Sequence, residues 1–222
     1  MVKGIIFDMD GTILNTIDDV VASVNYAMRH FNLPEKTVQE VKDGIGRGAI
    51  NLIEDVVPKG TSEADIYKIY EVYQTYYDQH TNDFTAPYEG ILDLLKTLKN
   101  NGYKLAVVSN KYRYLVEALN HDIFKDYFDI SMGEMDGVPI KPAPDMIHMA
   151  LKELKLSKDE VIFIGDSDVD MMTANNANIR SIGVTWGYRS KEVLIKHKAN
   201  YIIDQPKDIL NIIDEVNAHG ND

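Results

Sequence analysis

Short apolar segments recur through most of the chain, and stretches with helical periodicity separate them. The apolar segments cover residues 5–7, 104–109, 127–131, 161–165, 181–185 and 201–203. Short apolar runs next to a turn signal are typical of buried strands. Strands that alternate with helices favour right-handed crossovers, and therefore a parallel sheet with helices on both faces. The chain is predicted to be an α/β protein with a doubly wound, Rossmann-like parallel sheet.

The alternation is interrupted between the first strand and about residue 88. The intervening residues have helical periodicity throughout, and helices are predicted at 18–31, 37–43, 48–57 and 62–80. The gap is therefore interpreted as an insertion. We predict an α/β core domain formed by residues 1–14 and 86–222, and a small helical bundle domain formed by residues 15–85.

The last helix of the insertion carries a tyrosine stripe. Tyr67, Tyr70, Tyr73 and Tyr77 recur there at spacings of three or four residues. Such a stripe is the common pattern of an amphipathic helix that packs in a core, and we interpret it in this way. A stacking surface for a base or a sugar is the alternative.

The composition excludes several classes of function. The 222 residues include no cysteine, which excludes disulfides, thiol catalysis and cysteine-ligated metal clusters. The formal net charge of -12 argues against nucleic-acid and anionic-membrane partners. No apolar run approaches the roughly 20 residues that a membrane span needs, and no signal peptide precedes the first strand. We expect a cytoplasmic monomer or homodimer that acts on a small anionic substrate.

The first strand ends in two aspartates. Asp8 and Asp10 stand one residue apart and are followed by Gly11 and Thr12. Side chains two apart on an extended chain point to the same side, and two close carboxylates repel unless a cation or a shared proton relieves them. Mg²⁺ favours one or two carboxylates together with substrate phosphate. We expect a magnesium and phosphate site here, with Asp8 as the nucleophile, Asp10 as the acid and base, and Gly11 and Thr12 at the phosphate.

Two further segments offer groups that can hold a phosphate. Ser109 and Asn110 end an apolar strand, where a hydroxyl and main-chain N–H groups can bind phosphate oxygens, although Ser-Asn is also an ordinary turn signal. Lys141 precedes Pro142, which disfavours the helical conformation for the lysine and favours an extended one. Its ammonium can then neutralise charge between the nucleophile and the phosphoryl group. A lysine on a surface loop is the alternative.

The strand at 161–165 leads into a second group of carboxylates. Asp166 is predicted to complete the magnesium site with Asp8. Asp170 lies four residues later, on the same face of a helix that begins here, and is expected to hydrogen-bond the ligand shell of the metal or a water molecule. Asp168 is interpreted as a helix cap.

Taken in order, these segments resemble the four motifs of the haloacid dehalogenase-like superfamily. The matching residues are Asp8-Met-Asp10-Gly-Thr, Ser109-Asn110, Lys141-Pro142 and Gly165-Asp166-Ser-Asp-Val-Asp170. The resemblance covers the whole chain, and the helical insertion looks like the small bundle cap of the phosphoglycolate phosphatase branch. It implies Mg²⁺-dependent phosphatase chemistry, with Asp8, the Asp10 carbonyl and Asp166 as metal ligands. Dehalogenase members lack the second aspartate, so Asp10 favours phosphoryl transfer.

Substrate choice is assigned to the insertion. Gly44, Gly46 and Gly48 permit close backbone approach around Arg47, whose guanidinium can bind a carboxylate through two hydrogen bonds. This segment looks like the glycine-rich cap loop of phosphoglycolate phosphatases, which favours 2-phosphoglycolate or a similar small carboxylated phosphate ester. A plain turn between helices with an exposed arginine is the alternative. Residues 186–189 also resemble that branch, although packing explains their aromatic side chains as well.

Other functions stay open at this point. A pyrophosphatase or a nucleotide phosphatase of the same superfamily would share the core chemistry. A sugar phosphomutase would return the phosphoryl group of an aspartyl-phosphate to another hydroxyl of its substrate, but the insertion carries no sugar-binding signature. A non-catalytic binding module would have lost the nucleophile or a metal ligand, and none is missing.

Overall fold

The computed structural model describes residues 1–125 and 127–219. The chain divides into two compact units, one formed by Met1–Leu14 with Pro87–Asp222 and the other by Asn15–Ala86. The strands are β1 (Gly4–Phe7), β2 (Leu14–Asn15), β3 (Ala86–Pro87), β4 (Lys104–Tyr112), β5 (Ile130–Glu134), β6 (Val161–Gly165), β7 (Arg180–Val184) and β8 (Tyr201–Ile203). The short strands β2 and β3 pair with each other.

The first unit is built on a six-stranded sheet with the order β5-β4-β1-β6-β7-β8, and its neighbouring strands are parallel. From β1 the chain winds outward through β4 and β5, then crosses to β6 on the other side of β1 and winds outward through β7 and β8. The predicted doubly wound α/β fold is confirmed. In such a sheet, ligands bind at the carboxyl ends of the strands where the winding direction changes, which here is beside β1.

Helices cover both faces of this sheet. They are α5 (Ile91–Asn100), α6 (Arg113–Leu119), α7 (Asp145–Leu154), α8 (Asp168–Ala177), α9 (Lys191–Lys196) and α10 (Asp208–His219), with a π-helical turn at Asn120–Phe124 and a 3₁₀ turn at Lys158–Glu160. Ile5 and Phe7 of β1 pack with α5, α6 and α10, and Ile6 packs on the opposite face with α7 and α8. The strand is therefore buried on both sides, and the residue that follows it has a fixed position.

Two strands differ from the prediction. The strand expected at 104–109 continues to Tyr112 as β4. The expected strand at 127–131 forms as β5 at Ile130–Glu134, three residues later. Phe128 packs its ring edge-on against Phe7 and Phe124 instead, at centroid distances of 6.0 and 5.3 Å. The Asp129 carboxylate accepts a hydrogen bond from the Leu105 main-chain N–H at 2.8 Å. Because Phe128 packs in the core and Asp129 bonds the main chain of β4 through its side chain, pairing between β4 and β5 begins only after these two residues.

The second unit is a bundle of four helices. They are α1 (Ile17–His30), α2 (Val38–Gly44), α3 (Ala49–Val56) and α4 (Glu63–Gln79), each within one residue of its predicted ends. Thr37 and Ser62 cap α2 and α4 by accepting hydrogen bonds from main-chain N–H groups of the first turn, as cap residues usually do. In the first turn of α1, the buried carboxylate of Asp19 accepts hydrogen bonds from the main-chain N–H groups of Phe84 and Thr85.

The tyrosine stripe of α4 is only partly in the core. Tyr73 and Tyr77 are buried and stack on each other at 5.6 Å, as the packing prediction requires. Tyr67 is 52% exposed, so the packing prediction is wrong for this residue. It lies two residues before the buried Ile69, which places it on the opposite, solvent side of the helix. Among the helices that the structure describes, none combines the length and the hydropathy of a transmembrane segment.

Candidate active site

The two aspartates predicted to share a metal follow neighbouring strands. Asp8 comes directly after β1 and Asp166 directly after β6, and these strands pair in parallel with Phe7 opposite Ile164. The Asp8 main-chain N–H continues the ladder by donating to the Ile164 carbonyl at 2.8 Å. The ends of two adjacent parallel strands thus bring together two carboxylates that are 158 residues apart in the sequence (166 − 8).

A third carboxylate joins this pair. Carboxylate oxygens of Asp8, Asp166 and Asp170 lie within 4.8 Å of one another, and all three residues are buried. Asp170 is placed by the first turn of α8, where Ser167 is the N-cap. The Ser167 main-chain N–H and hydroxyl donate to Asp170 Oδ2 at 3.0 and 2.6 Å, and the Asp170 N–H donates back to Ser167 Oγ at 3.2 Å. This capping box fixes the carboxylate in the site.

Asp168 does not have the capping role that its position suggested. Ser167 caps the helix, and Asp168 is its first residue. The Asp168 Oδ1 atom instead lies 3.3 Å from Nε of Arg189, which belongs to the segment 186–189. The prediction failed because a serine directly before the aspartate also satisfies the rule for a helix cap.

Lys141 is the cation among these carboxylates. Its Nζ atom donates to Asp8 Oδ1 and to Asp170 Oδ1, at 2.7 Å in both cases, and the residue is only 3% exposed. The prediction of an inward-pointing lysine therefore describes its position, and the surface-loop alternative is excluded. The Asn110 side-chain amide accepts from the Lys141 N–H and donates to the Lys141 carbonyl, both at 2.8 Å. Asn110 holds the lysine main chain, which the sequence did not indicate.

The Asp166 carboxylate is held by the first loop and by residues 186–189. Oδ1 accepts the Thr12 hydroxyl at 3.1 Å, and Oδ2 accepts the Tyr188 main-chain N–H at 2.7 Å. Gly187 lies so close that an added Cβ would stand 2.2 Å from Asp166 Cβ and 2.5 Å from the Gly11 carbonyl oxygen. Thr12, predicted as a phosphate contact, thus directs its hydroxyl to a carboxylate.

The same segment also fixes the loop after β1. The Trp186 Nε1–H group donates to the Thr12 carbonyl at 3.0 Å. Gly11, the other predicted phosphate contact in this loop, has φ +83 and lies against Asp166, so a side chain there would be both strained and obstructed. The residues at 186–189 therefore position the site as well as pack in the core.

The buried carboxylates resist ionisation. Burial raises the pKa of Asp8 well above its ordinary value, and the negative charges of Asp170 and Asp166 raise it further, although Lys141 opposes them. The pKa of Asp166 is raised chiefly by burial and then by Asp170. Burial lowers the pKa of Lys141, but Asp170 and Asp8 outweigh it, so the pKa lies above that of an ordinary lysine. Lys141 contacts two of the three carboxylates, and Arg189 lowers the pKa of Asp166 only as a lesser cause.

The chemistry of this donor set fits a divalent cation. Buried carboxylates need a compensating positive charge, and Lys141 supplies one for three. Both oxygens of Asp170 already accept hydrogen bonds, from Lys141 and from Ser167. Asp8 Oδ2 accepts none from the residues that the structure describes, which leaves it available to a ligand. The three carboxylates form a group that can hold a metal ion, and Asp8 and Asp166 are the better placed for direct contact.

Asp10 has a cation of its own. Its Oδ1 atom lies 3.1 Å from Nζ of Lys111, and the side chains are only 15% and 7% exposed. Lys111 follows Ser109 and Asn110 near the end of β4, and its main-chain N–H donates to the buried Ser109 hydroxyl oxygen at 3.1 Å. Lys111 was not among the site residues predicted from the sequence. Its place directly after the Ser109-Asn110 segment was the available signal.

Arg47 belongs to the other unit. It lies between α2 and α3, and it forms an ion pair with Asp55 of α3 in which the side chains are 54% and 37% exposed. Gly46 and Gly48 on either side have φ of 116 and 88, in the region that favours glycine. Two of the three glycines thus have conformations that favour glycine, whereas Gly44 is the last residue of α2, and Arg47 is half exposed.

Comparison with known proteins assigns the chain to a family. The family model described as "Haloacid dehalogenase-like hydrolase" matches residues 5–184. The chain belongs to this family. The match contains nearly all of β1, the strands β4 to β7, and the site residues from Asp8 to Asp170, while residues 186–189 lie just beyond its end. The resemblance stated from the four motifs is confirmed.

Several named or solved proteins are similar to nearly the whole chain. A protein named phosphoglycolate phosphatase from Haemophilus influenzae is 31% identical, with 93% of this chain and 96% of that protein covered. "Pyrophosphatase PpaX" from Bacillus mycoides is 26% identical, with 98% and 99% covered. A solved structure from Lactobacillus delbrueckii subsp. bulgaricus is 36% identical and has a TM-score of 0.89, with 93% and 96% covered.

Proposed function

We propose that this chain is a Mg²⁺-dependent phosphatase that hydrolyses a small carboxylated phosphomonoester, such as 2-phosphoglycolate, through an aspartyl-phosphate. One observation carries the proposal. The Asp8 carboxylate, at the end of β1, lies within 4.8 Å of the carboxylates of Asp166 and Asp170 and receives a hydrogen bond from the buried ammonium of Lys141. A nucleophile, a set of metal ligands and a buried cation in one place are the parts that phosphoryl transfer needs.

The reaction we propose has two steps. In the first, an oxygen of Asp8 attacks phosphorus, the ester P–O bond breaks, and the leaving oxygen takes a proton from the Asp10 carboxyl group. In the second, the Asp10 carboxylate takes a proton from a water molecule, whose oxygen attacks the phosphorus of the aspartyl-phosphate. Inorganic phosphate leaves, and the Asp8 carboxylate is restored.

The other groups of the site are proposed to neutralise negative charge and to position the phosphoryl group. Asp8, Asp166 and the Asp10 carbonyl would hold Mg²⁺, and the bound ion would neutralise charge on the phosphoryl oxygens. Lys141 offsets negative charge beside Asp8, and Asn110 keeps the lysine in place. Ser109 and the main-chain N–H groups after it, together with the loop containing Gly11 and Thr12, are proposed to contact the phosphoryl oxygens.

A pyrophosphatase is the second candidate, because a relative with the name PpaX matches this chain over 98% of its length. Pyrophosphate and 2-phosphoglycolate both present a second anionic group beside the bond that breaks. The core chemistry would be the same for both substrates, and the residues at 15–85 are proposed to form the cap that distinguishes them. A nucleotide phosphatase and a sugar phosphomutase are further alternatives, and the cytoplasmic location and the monomer or homodimer stay predictions.

A phosphate-release screen tests the reaction and the substrate together. With Mg²⁺ present, we expect 2-phosphoglycolate or a similar small carboxylated ester to have a kcat/KM about tenfold or more above those of hexose phosphates and nucleotides, because a charged contact to the leaving group favours it. A chelator should abolish the release, and excess Mg²⁺ should restore it.

Three other outcomes of the screen would each indicate a different function. A higher kcat/KM for pyrophosphate would favour the pyrophosphatase. Consumption of a hexose phosphate with little net phosphate release would identify a mutase. Release from no compound of the panel would contradict the proposed phosphatase and favour a binding module.

Substitution of Arg47 by Ala tests carboxylate recognition. Hydrogen bonds between charged groups contribute about 1.5–3 kcal/mol, so we expect the KM for the carboxylated ester to rise about tenfold or more. The KM for an aryl phosphate without a carboxylate should stay roughly unchanged. Steady-state kinetics on the two substrates measure the difference.

Arg29→Ala is the matched control for this substitution. Arg29 is another arginine of the same unit in an exposed ion pair, with Glu35, and its side chain is 55% exposed. Its loss should change neither KM. Equal increases in KM for both substrates in Arg47→Ala would remove carboxylate recognition and leave Arg47 as a residue of an ordinary turn.

A further inference from the structure

The main chain of β4 around Lys111 explains how the lysine side chain reaches Asp10. The register of β4 against β5 shifts between Val108 and Tyr112, so the strand is irregular within the stretch that contains Lys111. Irregularities of this kind redirect a side chain at the edge of a sheet. Here the strand continues past the Ser109-Asn110 segment, and the redirected residue reaches the loop after β1.

A glycine in the neighbouring strand makes room for this irregularity. A Cβ atom added at Gly133 of β5 would stand 2.5 Å from the Lys111 carbonyl oxygen and 2.6 Å from Cα of Arg113. Both are main-chain atoms, which cannot move aside as the end of a flexible side chain can. The close approach of β4 to β5 at Lys111 therefore depends on the missing side chain at residue 133.

The main chain around Asp10 is fixed separately. The Gly11 N–H donates to the Leu14 carbonyl at 2.8 Å, and the N–H groups of Ile13 and Leu14 both donate to the Met9 carbonyl at 3.0 Å. These bonds set where the Asp10 backbone lies but not which way its carboxylate turns. Lys111 contacts that carboxylate at Oδ1, in surroundings that exclude most of the solvent.

We propose that Lys111 is a positioning residue for Asp10, an inference that rests on the proposed phosphatase reaction. A lysine ammonium carries donors only, so the oxygen that it contacts must act as an acceptor. With Lys111 on Oδ1, that oxygen is an acceptor, and the contact constrains the orientation of the Asp10 carboxylate. Each aspartate of the first motif then has its own lysine, with Lys141 at the nucleophile and Lys111 at the acid and base.

Kinetics of Lys111→Met on two esters test this role. Loss of the ammonium should lower kcat about tenfold or more for an alkyl phosphate, whose leaving oxygen needs the proton, with KM little changed. The effect on p-nitrophenyl phosphate should be much smaller, because its leaving group departs without help. Lys111→Arg should recover part of kcat, since the charge and the donors remain.

A double-mutant cycle with Asp10→Asn separates positioning from other roles. If Lys111 acts through Asp10, Lys111→Met should change kcat less than about twofold in the Asp10→Asn background. Lys104→Met is the matched control, because Lys104 begins the same strand and its Nζ bonds the Leu154 carbonyl. That variant should keep the wild-type kcat on both esters.

The results that would contradict the role of Lys111 differ from those that would contradict the proposed phosphatase reaction. A rise in KM without a fall in kcat would show that Lys111 contacts substrate, and equal losses with and without Asp10 would show an independent role. Either result overturns the inference and leaves the proposed function intact. A wild-type protein that hydrolyses neither ester would overturn both.

Discussion

Replacement of Asp8 by Asn should reduce phosphate release by at least about 10³-fold, since the amide cannot form the aspartyl-phosphate and removal of a nucleophile has effects of this size or larger. The fall should appear in kcat for every substrate that the wild-type protein turns over. Acid quench during turnover, followed by mass spectrometry, should find a phosphorylated peptide that contains Asp8 in the wild type and none in the variant.

The stability of Asp8→Asn separates lost chemistry from lost structure. Because burial raises the pKa of Asp8, ionisation of this carboxyl opposes folding at pH values above its unfolded pKa. The neutral amide removes that cost. Without divalent cations at neutral pH, the variant should therefore unfold at a temperature no lower than the wild type. Near-normal turnover by the variant would contradict the assignment of Asp8 as the nucleophile.

The second large effect is expected for Lys141→Met. The substitution leaves the carboxylates of Asp8 and Asp170 buried without the ammonium that lies 2.7 Å from each. Removal of one partner from a buried ion pair destabilises by about 3–5 kcal/mol. We expect a loss of this size in the free energy of unfolding, measured with urea in the presence of a chelator. Phosphate release should also fall steeply, because the positive charge beside the nucleophile is lost.

A double variant tests the electrostatic reason. Asp170→Asn removes one of the two carboxylates that Lys141 contacts, so Lys141→Met with Asp170→Asn should be more stable than Lys141→Met alone. It should remain inactive. If Lys141→Met unfolds at the same urea concentration as the wild type, the ammonium does not neutralise these carboxylates in the fold.

Those parts of the fold and the site that depend on local pattern could be predicted from sequence. The strand at 161–165 and the residue after it are specified by an apolar run and a glycine, and parallel pairing with β1 then places Asp166 beside Asp8. The helices of the second unit are specified by periodicity and by caps such as Thr37 and Ser62. These signals lie within a few residues of the elements that they determine.

Contacts between residues that are far apart in the sequence could not be predicted in this way. The pairing of Lys111 with Asp10 requires an irregular strand and a glycine in the next strand, and neither has a signature near the lysine. The use of Asn110 on the Lys141 main chain joins residues 31 positions apart. The late start of β5 reflects aromatic packing of Phe128, which outweighs the strand propensity of the residues around it.

All of the side chains placed in the chemistry belong to one unit of the chain. Asp8, Asp10, Lys141 and Asp166 lie within Met1–Leu14 and Pro87–Asp222, while Arg47 and its loop lie within Asn15–Ala86. If the insertion selects the substrate, as we propose, mutations there should alter substrate preference without rebuilding the reaction centre. A lineage with this architecture should then be able to move from one phosphate ester to another through intermediates that stay active, and the insertion would be the segment to randomise when a new specificity is sought.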